Sequence, residues 1–139
     1  TQKTYLIMQV DHKKRIKILG RVNIEELISA SDILVLPYIS NTGKHLYPSI
    51  LLEALKIRIP IITTNIETNR ELLQHKKTGI LVKTGNINSL VQGMYHLIKN
   101  EKLMRDIQKN QKIFKNRFKV EDEAKIYLNL YTKCLKQKK

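Results

Sequence analysis

The chain contains one cysteine, Cys134, in 139 residues. That excludes a disulfide framework and a metal site built from several thiolates, and it favours a reducing compartment. No apolar run is long enough to span a bilayer. The start, Thr1-Gln2-Lys3-Thr4, lacks a signal-peptide shape and an initiator methionine. The expectation is a piece of a longer protein, working in the cytoplasm. Internal repeats and low-complexity linkers are missing as well. Acids are scarce: 12 Asp and Glu stand against 26 Lys and Arg, a formal net charge of +14. Such a balance invites a nucleic-acid reading. However, the lysines are spread along the whole chain and cluster only at Lys133, Lys136, Lys138 and Lys139. There is no helix-turn-helix pattern, no zinc-ligand spacing and no run of aromatics for base stacking. No nucleic-acid partner is expected. The charge suits an anionic membrane surface or phosphate-bearing ligands, or it is simply a basic solvated surface.

What is present supports one packed domain. Hydrophobic residues make up 42% of the sequence. Thr4 to Val10 is a short apolar piece of undetermined type. Arg15 to Gly20 alternates charged and apolar residues and reads as a strand. Asn23 caps a short helix with Glu25 and Glu26 in its first turn, where the helix dipole favours acids. Ile33-Leu34-Val35-Leu36 is continuous and apolar, as a parallel strand covered on both faces would be, and Pro37 ends it. Tyr38 to Lys44 has the composition of a loop. Pro48 suits a helix start, and Ile50, Leu51, Leu52, Ala54 and Leu55 make that helix apolar on most sides. Pro60 to Thr64 reads as a strand, Thr68 to Gln74 as a helix, and Ile80 to Val82 as a strand after a turn ending at Gly79. Three helices follow: one capped by Asn86 or Asn88, one from Glu101, and one from Val120 to about Lys136. This alternation predicts an α/β fold, a Rossmann-like parallel sheet with helices on both faces, followed by C-terminal helices. About four strands are visible where such folds commonly carry roughly six.

The stretch His45 to Glu53 (His-Leu-Tyr-Pro-Ser-Ile-Leu-Leu-Glu) lies after a strand and a loop and opens a helix. Ligands bind at such junctions, because the first backbone N–H groups of a helix are unpaired and aligned with its dipole. Here those groups belong to Tyr47 through Leu51, and a diphosphate or sugar hydroxyls could dock on them. Glu53, one turn further in, could accept two hydrogen bonds from a vicinal diol such as a ribose. The alternative for Glu53 is a helix acid paired with Lys56 or Arg58. His12, His75 and His96 are dispersed, with no ligand spacing around them, and read as ordinary surface or partly buried residues. Cys134 has no evident His partner. Tyr95, Tyr127 and Tyr131 read as core.

Ser31-Asp32-Ile33-Leu34-Val35-Leu36-Pro37, then Pro48-Ser49-Ile50-Leu51-Leu52-Glu53-Ala54-Leu55, then Ile59-Pro60-Ile61-Ile62-Thr63-Thr64 resemble the group-1, GT4-type glycosyltransferases. Leu19-Gly20-Arg21-Val22, Arg70-Glu71-Leu72-Leu73, Thr78-Gly79-Ile80-Leu81-Val82 and Asn86 to Leu97 agree in order. The match runs from Lys17 to about Lys99, and more loosely through the terminal helices. The resemblance implies the GT-B fold, two Rossmann-like domains facing across a cleft. Residues 1–139 would be a single partial domain, the C-terminal nucleotide-sugar-binding half, with the N-terminal acceptor domain absent.

By that resemblance the chain is part of a retaining hexosyltransferase. It would move a sugar from a nucleoside-diphosphate donor to a glycan or lipid-linked acceptor in surface polysaccharide assembly, such as a capsule. The family's Glu-x7-Glu motif ends at Glu53, on the donor ribose. Tyr47, Pro48, Ser49 and Ile50 would meet the diphosphate and sugar, and Arg21-Val22 would lie beside the base. No metal and no cofactor are implied, since basic side chains and helix dipoles hold the leaving diphosphate. The first acid of the motif falls at His45, which takes the catalytic position and could hydrogen-bond a sugar hydroxyl or help neutralise phosphate. Family glycines fall at Leu46, Arg58 and Thr68, or in another register at Gly43. An N-terminal GT-B domain, in cis or in trans, is the expected partner, and the isolated piece is expected to be inactive. Peripheral contact with the inner face of the membrane is a further expectation. A degenerate, non-catalytic binding or structural module is the alternative.

Overall fold

The structure, a computed structural model, describes residues 17–40, 48–114 and 120–136. The elements in chain order are α1 (Ile24–Ser29), β1 (Leu34–Leu36), α2 (Ser49–Ile57), β2 (Ile61–Thr64), α3 (Glu67–Leu72), β3 (Ile80–Val82), α4 (Ile87–Lys99), α5 (Glu101–Asn110) and, after a 3-10 turn at Gln111–Ile113, α6 (Val120–Lys136). The three strands are parallel in the order β1-β2-β3, with Leu34 opposite Ile61 and Ile62 opposite Ile80. Helices pack on both faces. This is the expected α/β architecture, a parallel sheet with helices on both faces.

All four residues of β2 are buried. Successive side chains of a strand point to opposite faces, so Ile61 and Ile62 seed two cores. Ile61 meets Ile28 of α1 and Leu51, Ala54 and Leu55 of α2. Ile62 meets Ile80 and Val82 with Leu97 of α4 and Ile107 of α5. Gly93 lets α4 lie directly on β3: a Cβ there would stand 2.8 Å from a Val82 methyl and 3.3 Å from one of Ile80. Gln111 ties the far end of the sheet. Its buried Nε2 donates to the carbonyls of Ile59 (3.0 Å) and Thr78 (2.9 Å), the residues that lead into β2 and β3.

The free edge of β3 is sealed by side chains. The outward N–H of Leu81 donates to Nδ1 of His75 (3.1 Å), and that of Lys83 donates to the Ser89 hydroxyl (3.0 Å). The outward carbonyl of Gly79 accepts from Lys76 N–H (2.8 Å). An unpaired edge invites pairing with another chain, and these contacts occupy its donors. Accepting at Nδ1 requires a neutral ring whose proton sits on Nε2. Partial burial, with repulsion from Lys76 and then His96, lowers the His75 pKa.

Several expectations are corrected. Lys17 to Gly20, the described part of the expected first strand, has no regular structure. Among the described residues no strand pairs with the outer edge of β1. Lacking that partner, Ile18 and Leu19 are exposed, as are Val22, Ile24 and Leu27. Tyr95, Tyr127 and Tyr131 are exposed rather than core. Tyr95 shares an outward stripe of α4 with Val91 and Ile98, rotated away from the Leu90, Met94 and Leu97 side that meets the sheet. Along α6, Leu128 and Leu130 are exposed with the two tyrosines, so its expected apolar side has no cover among the described residues. Thr4 to Val10 lies outside the described residues.

Two outcomes follow for stability. Arg58 closes α2 in the left-handed region (φ 66°, ψ 38°), which a side chain disfavours and glycine does not. Arg58→Gly is expected to raise stability by about 0.5–1 kcal/mol, measured by urea unfolding. The lowered His75 pKa means that the unfolded chain binds more protons just below pH 6.5. The contribution of His75 is therefore fully present above that value and is lost as pH falls from it through the lower folded value. Thermal melts should show a decline across this window that is smaller in His75→Gln.

Candidate functional site

In a parallel sheet the carboxyl ends of the strands and the amino ends of the following helices share one rim. Here that rim holds Pro37 and Tyr38 after β1, Thr64 and Asn65 at the end of β2, Lys83 to Asn86 after β3, and the start of α2. A polar network fixes it. The Thr63 hydroxyl donates to the Leu36 carbonyl (2.8 Å), and Asn69 Nδ2 donates to the Thr63 hydroxyl (2.9 Å) and the Thr64 carbonyl (2.9 Å). Thr63 and Asn69 are fully buried, where each such bond is hard to replace. The end of β1, the end of β2 and α3 are thereby held as one unit. Nothing in local periodicity pointed to Asn69. The one available signal was a polar residue inside a short helix next to a Thr-Thr strand end.

Helix α2 begins differently from its neighbours. Asn23, Asn86 and Asn100 cap α1, α4 and α5 with side-chain oxygens. Pro48 precedes α2 in extended conformation, offers no capping side chain, and no acid stands in the first turn. Leu51 N–H bonds to the Pro48 carbonyl (2.9 Å), which leaves Ser49 and Ile50 as the donors at the tip. Ser49 is exposed; Pro48 and Ile50 are half-buried. The arrangement is a positive dipole end with no internal anion to quench it.

Glu53 sits one turn inside α2 and is half-buried. Among the described residues it takes part in no ion pair, so the pairing with Lys56 or Arg58 does not form. Its carboxylate is left as an acceptor beside the helix start. Arg21 and Val22 lie exposed just before the Asn23 cap of α1. His45 and Tyr47 lie outside the described residues, as do Gly43 and Leu46. Thr68, at a family glycine position, lies within α3 and needs no positive φ, whereas Arg58 does adopt one.

Beside this rim a cavity of about 250 Å³ is lined by Pro37, Ile39, Thr64, Lys83, Gly85 and Asn86, among others. Gly85 takes φ 69° to make the turn into α4. Thr64, only 3% exposed, lies in this lining, and its hydroxyl has no hydrogen-bond partner among the described residues. Partial burial raises the Tyr38 pKa, which keeps its phenol protonated and able to donate. No group of three or more His, Cys, Asp or Glu that could hold a metal occurs among the described residues. No helix among them is long and apolar enough to cross a membrane.

Residues 1–114 match the family described as Glycosyl transferases group 1, and the chain belongs to that family. It is 30% identical over 99 residues to the UDP-Gal:alpha-D-GlcNAc-diphosphoundecaprenol alpha-1,3-galactosyltransferase of Escherichia coli, covering 70% of this chain and 24% of that protein. It is 26% identical over 136 residues to the N-acetyl-alpha-D-glucosaminyl L-malate synthase of Bacillus anthracis, covering 96% of this chain and 35% of that one. The chain thus spans about a third or less of the curated relatives it matches. Its fold is similar to that of Anabaena HepE, solved in complex with UDP, at a TM-score of 0.80 and 22% identity over 94% of this chain and 36% of HepE. HepE is also solved in complex with UDP-glucose.

The network at the strand ends generates a prediction. Asn69→Ala removes both bonds donated by Nδ2, to the buried Thr63 hydroxyl and to the Thr64 carbonyl, which keeps only its bond from the Ile66 N–H. Denaturant unfolding should show a loss of about 2 kcal/mol. Thr63→Val, which breaks the tie to Leu36, should show a loss in the same range and a less than additive effect when combined with Asn69→Ala, because the two share one bond.

Proposed function

We propose that this chain is the donor-binding C-terminal half of a retaining glycosyltransferase. It takes a hexosyl group from a nucleoside-diphosphate sugar to a glycan or lipid-linked acceptor in surface polysaccharide assembly. The observation that carries the reading is the start of α2: an uncapped, acid-free helix end on the rim, with the Glu53 carboxylate one turn in and in no ion pair among the described residues. Family membership supports the class of reaction. The names of the E. coli relative and of the HepE complexes support a uridine-diphosphate sugar as donor and a diphospho-lipid-linked sugar as acceptor.

In this reading the Ser49 and Ile50 N–H groups hold the diphosphate, with Tyr47 and Pro48 shaping the approach. Glu53 accepts hydrogen bonds from both ribose hydroxyls, and Arg21-Val22 flanks the base. The bond between the anomeric carbon and the diphosphate breaks, and the nucleoside diphosphate leaves with the electron pair. The acceptor hydroxyl oxygen bonds to that carbon and releases its proton. The α2 dipole stabilises the negative charge that develops on the leaving group, so no metal and no cofactor are needed. His45, close in sequence to that helix start, hydrogen-bonds the transferred sugar or the phosphate. An N-terminal GT-B domain, in cis or in trans, supplies the other wall of the cleft and the acceptor site, and this half alone is inactive. Its place is the cytoplasm, at the inner face of the membrane where a lipid-linked acceptor is presented.

Calorimetry with UDP and 2′-deoxy-UDP tests the assignment. The wild-type chain should bind UDP saturably and prefer it to the deoxy analogue. Glu53→Ala should weaken UDP binding by about tenfold or more and abolish that preference, because a charge-assisted hydrogen bond contributes about 1.5–3 kcal/mol. A folded sample with no saturable UDP binding at millimolar ligand would overturn the reading.

A further inference from the structure

A second cavity, of about 660 Å³, lies along the sealed edge of β3 beneath the side of α4 that carries Gln92, His96 and Lys99. It is remote in topology from the start of α2, which packs on the opposite face of the sheet. Its size falls within the range of about 300–1,000 Å³ typical of small-molecule sites. Its floor is apolar, formed by Ile80, Val82 and the α-carbon of Gly93. Its charged lining is of one sign. Lys76 enters from the turn before β3 and Lys99 from the end of α4, while no aspartate or glutamate is among the described lining residues.

The donors around this floor are positioned by contacts already described. The His75 ring is fixed by the Leu81 N–H on Nδ1, which leaves Nε2–H as its donor. Lys76 is held in the turn by its backbone bond to Gly79 and takes a positive φ of 60°. Lys99 stands over the ring of Tyr95, 5.9 Å from its centroid. Such a set (two ammonium groups, an imidazole N–H, a second imidazole and the Gln92 amide) matches a tetrahedral oxyanion with several acceptor oxygens. The apolar floor and the exposed Tyr95 ring leave room for an organic group attached to it. We propose that this groove binds a phosphate-bearing ligand at a site separate from the donor site on α2.

Titration of the ¹⁵N-labelled chain with inorganic pyrophosphate tests the site. Saturable shifts are expected at the amides of Lys76, Leu81 and His96. Lys76→Gln combined with Lys99→Gln should weaken them at least tenfold, while the rest of the spectrum reports an intact fold. Single Lys99→Gln should show an intermediate loss and serves if the double variant does not fold. Cosedimentation with phosphatidylglycerol vesicles, set against phosphatidylcholine vesicles, separates the two sources of such a ligand. Pyrophosphate binding without cosedimentation assigns a soluble phosphate. Cosedimentation lost in the lysine variant assigns a lipid headgroup. Shifts confined to Ser49 to Glu53, non-saturable shifts, or unchanged affinity in the lysine variants would overturn the proposal.

Discussion

The structure depends on one strand being closed on every side. Strand β2 gives its backbone to β1 and β3, its Ile61 side chain to the core with α1 and α2, and its Ile62 side chain to the core with α4 and α5. A strand so placed must be apolar along both faces, and Ile61 and Ile62 satisfy that directly. Thr63 and Thr64 do not, and the fold answers each differently. Thr63 is used as a relay between Leu36 and Asn69. Thr64 keeps its hydroxyl without a partner among the described residues, beside a cavity at the rim. The apolar half of the strand makes the core, and the polar half lies at the rim of the sheet.

Polar ties at the two ends of the sheet turn this strand into a platform. At the amino ends Gln111 joins the lead-ins of β2 and β3; at the carboxyl ends Asn69 joins the ends of β1 and β2 through Thr63. Both tying side chains are fully buried. A buried amide that lost these partners would be costly to leave unpaired, so the strand ends cannot drift independently. In the proposed reading a diphosphate held at the start of α2 needs such rigidity, because that first turn is aimed only as well as the strand and core beneath it.

Electrostatics then separates the ends of the helices. Three helices have their first turns satisfied by asparagine, and each is thereby closed to outside anions. Helix α2 is left open by proline and by the absence of acids in its first turn. On a chain with 26 basic and 12 acidic residues, an open amino end and a carboxylate with no ion partner among the described residues stand out. The same surplus of lysine, gathered on one side of the β3 edge without an opposing acid, makes the second cavity selective for anions.

Element type and order were legible in local patterns: the Ile33 to Leu36 run, the capping asparagines, the helix behind Pro48 and the strand from Pro60 to Thr64 all occur where the residues put them. Short-range forces decide such features, since capping, proline geometry and apolar periodicity act within a few residues. The family and the helix start that carries Glu53 were legible for the same reason. Burial depended on what lies across space. Ile18 and Leu19 have strand-like sequence but form no strand, because among the described residues nothing pairs with them. Tyr95 sits at helical spacing with core residues, yet α4 turns it outward because Gly93 chooses the face that meets β3. The joining of Asn69 to Thr63, of Gln111 to two carbonyls 52 and 33 residues away, and of His75 to the edge of β3 needed the folded sheet. The sequence by itself determined the elements, the family and the open start of α2, because those are local; tertiary structure alone decided which polar groups became ties and which lysines came to face one cavity, because those contacts exist only once distant segments are packed together.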